Sequence, residues 1–144
     1  MSSVPPSRVV IDTNVVFEGL TKQGSAASLV MEAWLIGLLD VYITDALAYE
    51  YEDVLSRKLS QFRWQPLQPV LVTLLSRAKF TAIHYSWRPT SPDPGDDLVI
   101  DCAMNAGASV ITSNLRDFQR ARESLGLQVI TPVQLAIKLT SGAN

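Results

Sequence analysis

The sequence predicts an α/β protein, a three-layer α/β/α sandwich around a central, mainly parallel β-sheet. Short apolar runs such as Val9–Ile11 are continuous rather than alternating, which is typical of strands buried on both faces. These runs alternate along the chain with segments whose apolar residues recur at helical spacing. A repeated strand–helix–strand order favours parallel strands joined by right-handed crossovers.

Length and composition indicate a single domain spanning residues 1–144. A chain with 47% apolar and 18% charged residues is typical of a globular protein rather than a disordered one. We expect residues 1–7 to form a flexible tail. The first six of them lack the basic and apolar regions of a signal peptide. Cys102 is the only cysteine, which excludes an internal disulfide framework and favours a reducing, cytoplasmic setting. No apolar run approaches membrane-spanning length, so we expect no membrane partner.

The first half of the chain is predicted to contain two strands and two helices. The strands lie at 9–11 and 40–44; Ser25 caps a helix that runs to about Gly37, and Asp45 caps the next helix. Glu50 falls inside the apolar arc of this second helix, where a carboxylate is costly unless it is paired or binds a metal. Glu50 therefore either has a buried partner such as an arginine or faces a cleft.

The middle of the chain is less regular. Residues 58–69 are polar, aromatic and proline-punctuated, which predicts a loop or short helix with Phe62, Arg63 and Trp64 near its tip. The segments that follow are predicted as a helix at 70–78, a short strand at 80–85 and an irregular stretch at 87–95.

The last part of the chain resumes the alternation. A helix is predicted from Asp96 to Gly107, followed by strands at 108–112 and 127–131 and a closing helix from Pro132 to about Leu139. By helical angle, Asp97 and Asp101 lie opposite the apolar stripe of the first of these helices, whereas Asp96 lies at its edge. The preference of helix dipoles for acids in the first turn is the simpler explanation for Asp96 and Asp97 alike, and we adopt it for Asp97.

Polar residues follow two of the predicted strands at the point where each strand ends. Asp12 and Asn14 follow the first strand, and Thr112 and Asn114 follow a later one. Ligands of open α/β sheets bind beyond the carboxyl ends of the strands, so we expect these side chains at one mouth of the sheet. The alternative is that Asp12-Thr13-Asn14 only turns the chain and caps a helix.

Four acids are expected to gather at this edge: Asp12, Glu50, Asp96 and Asp117. Two carboxylates ~4 Å apart repel each other by about 4 kcal/mol at an effective dielectric constant near 20. Such clusters bind cations or protonate one member. Oxygen ligands alone select hard metals, Mg²⁺ or Mn²⁺, rather than zinc.

The net charge of −2 argues against non-specific coating of nucleic acid, but the basic residues are clustered. A basic surface beside an acidic mouth is compatible with a phosphate-backbone ligand, and a solvated face is the simpler alternative. The two basic groups are Arg57, Lys58, Arg63, Arg77, Lys79 and Arg88, and then Arg116, Arg120 and Arg122.

These motifs, in this order, resemble the PIN domain, in particular the VapC-like ribonuclease toxins of toxin–antitoxin pairs. The resemblance covers about residues 9–135. It is carried by Val-Ile-Asp-Thr-Asn at 10–14, Glu50-Tyr51 followed by Val54-Leu55 and Arg57, Asp93-Pro94-Gly95-Asp96-Asp97, and Val110-Ile111-Thr112-Ser113-Asn114 leading to Asp117-Phe118.

The resemblance implies a metal-dependent endoribonuclease that uses Mg²⁺ or Mn²⁺. It implies that Asp12, Glu50 and Asp96 are the three core acids and that Asp117 is the fourth, with Asn14, Thr112 and Asn114 in support. Many relatives carry an acid in place of Asn114, so the fourth ligand is either Asp117 or a water held by Asn114. Glu50 would orient or deprotonate the attacking water. The expected partners are an RNA substrate, a cognate antitoxin and a second copy of the chain.

Several residues are assigned more loosely. Arg57, Arg63, Trp64 and Arg116 are candidate substrate-binding residues, and Trp87 is another for base stacking. Core packing or a dimer contact explains the two tryptophans at least as well. Two other functions are weighed against the nuclease: a non-catalytic RNA- or protein-binding module, and a phosphatase or phosphoacceptor domain. No lysine follows a later strand to pair with a phosphoryl group, which argues against the last.

Overall fold

The central sheet has five strands, and all of its pairings are parallel. In a computed structural model that describes residues 8–87 and 93–141, the strand order is β3-β2-β1-β4-β5. The strands are β1 (Arg8–Ile11), β2 (Asp40–Ile43), β3 (Lys79–Phe80), β4 (Ser109–Ile111) and β5 (Val129–Ile130). The chain order reverses between β1 and β4, and a crevice for ligands forms beyond the carboxyl ends of strands at such a reversal.

Helices cover the sheet and complete the predicted α/β/α fold. They are α1 (Thr13–Thr21), α2 (Ala26–Leu35), α3 (Asp45–Lys58), α4 (Gln61–Ser76), α5 (Pro94–Ala106), α6 (Gln119–Leu125) and α7 (Pro132–Ser141), with a 3₁₀-helix at Leu115–Phe118. Helix α5 packs against β1, β2 and β4, and α3 packs against both α1 and α5. Across the described ranges, no helix is long and apolar enough to cross a membrane.

The core confirms that β1 is buried on both faces. Val9, Val10 and Ile11 have no exposed surface, and neither has the indole of Trp34. Cys102 also lies in this core, where burial, and to a lesser extent the charge of Asp101, raises the pKa of its thiol to about 12. It packs as an unreactive apolar residue, as the sequence suggested.

Several helix boundaries differ from the sequence-based expectation. Helix α1 begins at Thr13 with Asp12 in its N-cap position, whereas the main interpretation placed no helix before Ser25 and only the alternative for Asp12-Thr13-Asn14 included helix capping. Thr44, not Asp45, caps α3, because its side chain accepts a hydrogen bond from the backbone of Leu47 at 3.1 Å. Helix α6 is a further helix that the sequence analysis missed.

The largest difference is the length of α4, since one helix spans most of both the loop or short helix predicted at 58–69 and the separate helix predicted at 70–78. Ser60 caps the helix through the backbone N–H of Arg63, and the helix continues through Pro66 and Pro69. Both prolines are exposed, so the backbone carbonyls that lose a partner can be hydrated. Trp64 is consequently in the core and not at a loop tip.

The predicted strand at 80–85 contracts to the two residues of β3, and α5 begins at Pro94, two residues before the predicted start. His84, expected in that strand, is exposed and lies outside it. The expectations for the tail at 1–7, for Arg88 and for the loop prolines Pro89 and Pro92 concern residues outside the described ranges.

Candidate active site

Asp12 lies at the carboxyl end of β1 and is almost completely buried, with 3% of its surface exposed. The parallel register of β1 and β4 places Thr112 beside it, and the Thr112 hydroxyl donates a 2.8 Å hydrogen bond to Asp12 Oδ2. Burial raises the pKa of Asp12, and this hydrogen bond partly opposes the rise. The fold therefore holds a carboxylate where its negative charge is costly.

Tyr51 links the helix that carries Glu50 to the strand that carries Asp12. Its side chain is fully buried, and its hydroxyl donates a hydrogen bond to the backbone carbonyl of Ile11. Burial raises the pKa of Tyr51 well above its ordinary value, so the hydroxyl keeps its proton and remains a donor. The bond joins the immediate neighbours of the two acids and fixes their backbones relative to each other.

Glu50 is half-buried and lies against the N-terminus of α5. A Cβ atom built on Gly95 would lie 2.8 Å from Glu50 Oε2, so the carboxylate takes the space that a side chain at position 95 would fill. Within the described ranges, Glu50 has no salt bridge to a basic side chain, which leaves the arginine-pair alternative without support. The cleft-facing orientation is the one observed.

Two acids come from the start of α5. Asp93 caps the helix and accepts a 2.9 Å hydrogen bond from the backbone N–H of Gly95, with Pro94 in the first helical position. Asp96 follows in the first turn and is 6% exposed. The sequence analysis did not select Asp93 as a site residue, although an acid directly before proline is a recognisable helix-start signal.

These side chains share one cleft of about 210 Å³ at the carboxyl edge of the sheet. It brings together the three predicted core acids and adds Asp93. The cleft is lined by Asp12, Thr13, Asn14, Glu50, Val54, Arg57, Lys58, Asp93, Gly95 and Asp96.

Asp117 and Asn114 are connected to Asp12 through Thr112. The Asn114 amide nitrogen donates to Asp117 Oδ2 at 2.7 Å, and the Asn114 backbone N–H donates to the Thr112 hydroxyl at 3.1 Å. Asp117 does not line the cleft, but its charge contributes to the raised pKa of Asp12. Asn114 and Asp117, the two candidates for the fourth metal-ligand position, are thus hydrogen-bonded to each other.

A model of the PIN domain family matches residues 8–116, which run from β1 through the cleft residues to the 3₁₀-helix. The chain belongs to the PIN domain family. PIN domains are generally nucleases and typically use divalent metal ions. The family therefore supports a hydrolytic nuclease activity. A comparison with curated proteins finds no match.

Solved structures with the same PIN fold include toxin–antitoxin complexes. The chain resembles VapBC2 from Rickettsia felis bound to a DNA fragment of its promoter, with a TM-score of 0.63, 16% identity, and coverage of 86% of this chain and 98% of the other. FitAcB from Neisseria gonorrhoeae gives a TM-score of 0.59, 20% identity and coverage of 87% and 98%. FitAB bound to the IR36 DNA fragment gives a TM-score of 0.57 and 20% identity, with coverage of 86% of this chain and 94% of the other. These likenesses establish the fold.

Asp97 and Asp101, which helical angle places opposite the apolar stripe of α5, are both buried. Residues 84–87 run along this side of α5. The Asp101 carboxylate accepts hydrogen bonds from the Ser86 hydroxyl at 3.0 Å and from the Trp87 backbone at 3.1 Å. The face opposite the apolar stripe is therefore covered by another part of this PIN domain.

The candidate substrate-binding residues separate into two groups. Arg57 lines the cleft, whereas Arg63 and Arg116 are exposed and are not among the residues that line it. Trp64 is 8% exposed and packs in the core, so the expectation of an indole available to unpaired bases is corrected by its burial.

The cleft fits a hard divalent cation that retains part of its water shell. In residues 8–87 and 93–141, no three acidic, histidine or cysteine side chains form a ready-made metal cage. Magnesium is usually bound through one or two carboxylates, waters and substrate phosphates, which needs no such cage. Thr13 also lines the cleft, and its hydroxyl is buried without a hydrogen-bond partner among the described residues.

Proposed function

We propose that the protein is a metal-dependent endoribonuclease that hydrolyses RNA phosphodiester bonds and uses Mg²⁺ or Mn²⁺. The observation that carries the proposal is the convergence of Asp12, Glu50 and Asp96 on one cleft of a PIN domain. Oxygen donors and the buried carboxylate of Asp12 favour a hard cation over zinc. When bound, the cation would lower the pKa of a water and offset charge on the phosphate.

The side chains of the chain have distinct roles in this proposal. Asp12 and Asp96 would hold the cation, and Glu50 would orient the attacking water and accept its proton. Thr112 keeps the Asp12 carboxylate in place, and Asn14 offers a further oxygen at the exposed side of the cleft. Asp117, oriented by Asn114, would add negative charge behind Asp12 rather than bind the cation from within the cleft.

We also propose that the protein is the toxin of a toxin–antitoxin pair, with a cognate antitoxin and a homodimeric state. The support is the fold likeness to VapBC2, FitAB and FitAcB, whose structures include complexes with DNA. A cytoplasmic setting stays a prediction from the single cysteine. Residues Arg57, Arg63 and Arg116 remain candidates for RNA or for an acidic partner segment, with Arg57 favoured for RNA because it lines the cleft.

The test is cleavage of a mixed RNA pool by the purified protein in Mg²⁺, Mn²⁺ or EDTA, beside an Asp12→Asn variant shown to be folded. Cleavage that requires the metal and is lost in the variant would establish the nuclease. If no cleavage occurs but Mn²⁺ binds calorimetrically to the native protein and not to Asp12→Asn, the metal site stands and the RNA pool lacked the target.

The two alternative functions make different predictions in the same assay. A protein that binds RNA but neither cleaves it nor binds a divalent cation would be a non-catalytic module. A phosphatase would release inorganic phosphate from a phosphomonoester. The structure gives the phosphatase alternative little support. Lys79 lies at the amino end of β3, away from the carboxyl edge of the sheet, and forms a salt bridge with Asp40 at 3.3 Å.

A further inference from the structure

The wall of the cleft formed by α3 changes charge along its length. Glu50, Val54, Arg57 and Lys58 all line the cleft, and their spacing places them on one face of the helix. Lys58 lies eight residues beyond Glu50, about 12 Å along the axis at ~1.5 Å per residue. An acidic end beside Asp12 thus continues into a basic end on the same helix face.

The two basic side chains differ in what they contact. Arg57 Nη2 lies 3.4 Å from Asp53 Oδ2, one turn away on α3. Lys58 has no salt bridge with any residue in the described ranges, and its ammonium lies 5.5 Å from the centroid of the Phe17 ring. An aromatic face attracts a cation without neutralising it. Lys58 is therefore the cleft cation whose charge is still available to a ligand.

We propose that Lys58 is a phosphate-binding residue that takes a phosphate flanking the scissile one on a single nucleic-acid strand lying along α3. This inference rests on the proposed nuclease function, and it adds a requirement about the substrate. The strand must carry a phosphate on the α3 C-terminal side of the cleavage point. The scissile phosphate lies at the acidic end, and the flanking phosphate lies at Lys58.

A simpler role for Lys58 comes from the helix itself. Basic residues in the last turn of a helix interact favourably with its dipole, and both Arg57 and Lys58 occupy that turn. The dipole accounts for a contribution to stability but not for the position of Lys58 in the cleft. A measurement of RNA affinity against salt concentration separates the two roles, since only a phosphate contact releases counterions.

The experiment compares native protein, Lys58→Met, Lys58→Arg and Lys22→Met for binding to a short single-stranded RNA of mixed sequence in EDTA over a series of NaCl concentrations. We expect Lys58→Met to weaken binding several-fold and to make the slope of log affinity against log salt shallower by about 0.7, the value for one phosphate on a single strand. Lys58→Arg should retain the slope. Lys22, which pairs with Glu18 outside the cleft, is the matched control and should change neither quantity.

The outcomes distinguish this inference from the function on which it rests. If the native protein binds and cleaves RNA but Lys58→Met keeps the native slope, the nuclease stands and Lys58 is not a phosphate ligand. Lower thermal stability with unchanged RNA binding also overturns the phosphate role and assigns Lys58 to the helix dipole. If the native protein neither binds nor cleaves RNA, the proposed function fails and this inference fails with it.

Discussion

Replacement of Thr112 by valine tests whether the sheet edge is built to hold Asp12. Valine keeps the shape of threonine but removes its hydroxyl. That hydroxyl is fully buried, donates to Asp12 Oδ2 at 2.8 Å, and accepts from the Asn114 backbone N–H at 3.1 Å. Thr112→Val therefore removes one hydrogen bond to a buried carboxylate and one to a backbone N–H.

The expected loss of stability follows from the charged acceptor. A hydrogen bond to a charged group contributes ~1.5–3 kcal/mol, so we expect a loss of about 2–3 kcal/mol when the weaker bond to Asn114 is included. At ~2–4 °C per kcal/mol for a chain near this length, the melting temperature should fall by roughly 4–12 °C. The lost bond lowered the pKa of Asp12, so the acid limb of the pH–activity profile should move to higher pH.

The assay is urea unfolding at neutral and acidic pH together with the pH dependence of RNA cleavage. Thr73→Val is the matched control, because the exposed Thr73 hydroxyl donates only to the Pro69 carbonyl at 2.9 Å. We expect the control to change stability by less than ~0.5 kcal/mol. The reasoning is refuted if Thr112→Val is no more destabilising than Thr73→Val, or if the pH profile of cleavage stays unchanged.

Three further substitutions address the other contacts of the cleft. Because burial raises the folded-state pKa of Asp12 above its unfolded value, the native state binds the proton more tightly, and stability is lost as the pH rises through that folded pKa. Asp12→Asn should therefore raise the melting temperature at neutral pH in EDTA while abolishing the rise caused by Mn²⁺; a lower melting temperature in EDTA would contradict this. Tyr51→Phe leaves the buried Ile11 carbonyl without its hydrogen-bond donor, so it should lower the free energy of unfolding by about 1–3 kcal/mol and change kcat more than KM. Tyr49→Phe, at an exposed position, is the control and should change neither stability nor kcat. Gly95→Ala places a Cβ 2.8 Å from Glu50 Oε2, so it should displace that flexible carboxylate and reduce cleavage at near-native stability; an unchanged kcat would show that Glu50 acts elsewhere.

The sequence predicted the sheet and the position of Asp12 because both depend on local signals. A continuous apolar run predicts a buried strand wherever it occurs, and the polar stop after it must lie at the carboxyl edge of a parallel sheet. Glu50 was found by a similar local rule, since an acid inside an apolar arc is costly unless it is paired or binds a metal. The structure places both residues in the same cleft.

The sequence could not predict features that depend on contacts between distant segments. Helical angle placed Asp97 and Asp101 opposite the apolar stripe of α5, but it could not predict that residues 84–87 cover part of that side. Trp64 was placed near the tip of a loop or short helix because nearby prolines usually end helices, whereas α4 continues through them and buries the indole. Helix α1 was missed because Val15, Val16 and Gly19 are poor helix formers that packing against α2 and α3 overrides.

The energetic pattern around the cleft favours a ligand site over an accidental cluster of acids. Asp12 is buried with a raised pKa, and the Thr13 hydroxyl beside it is buried without a partner among the described residues. Gly95 has no side chain, which leaves room for the Glu50 carboxylate against α5. A buried charge and a buried hydroxyl without a partner each destabilise the protein, and a chain selected only for stability would be expected to lose them. A hydrated divalent cation would offset the charge of the buried Asp12 carboxylate, which gives that cost a functional reason.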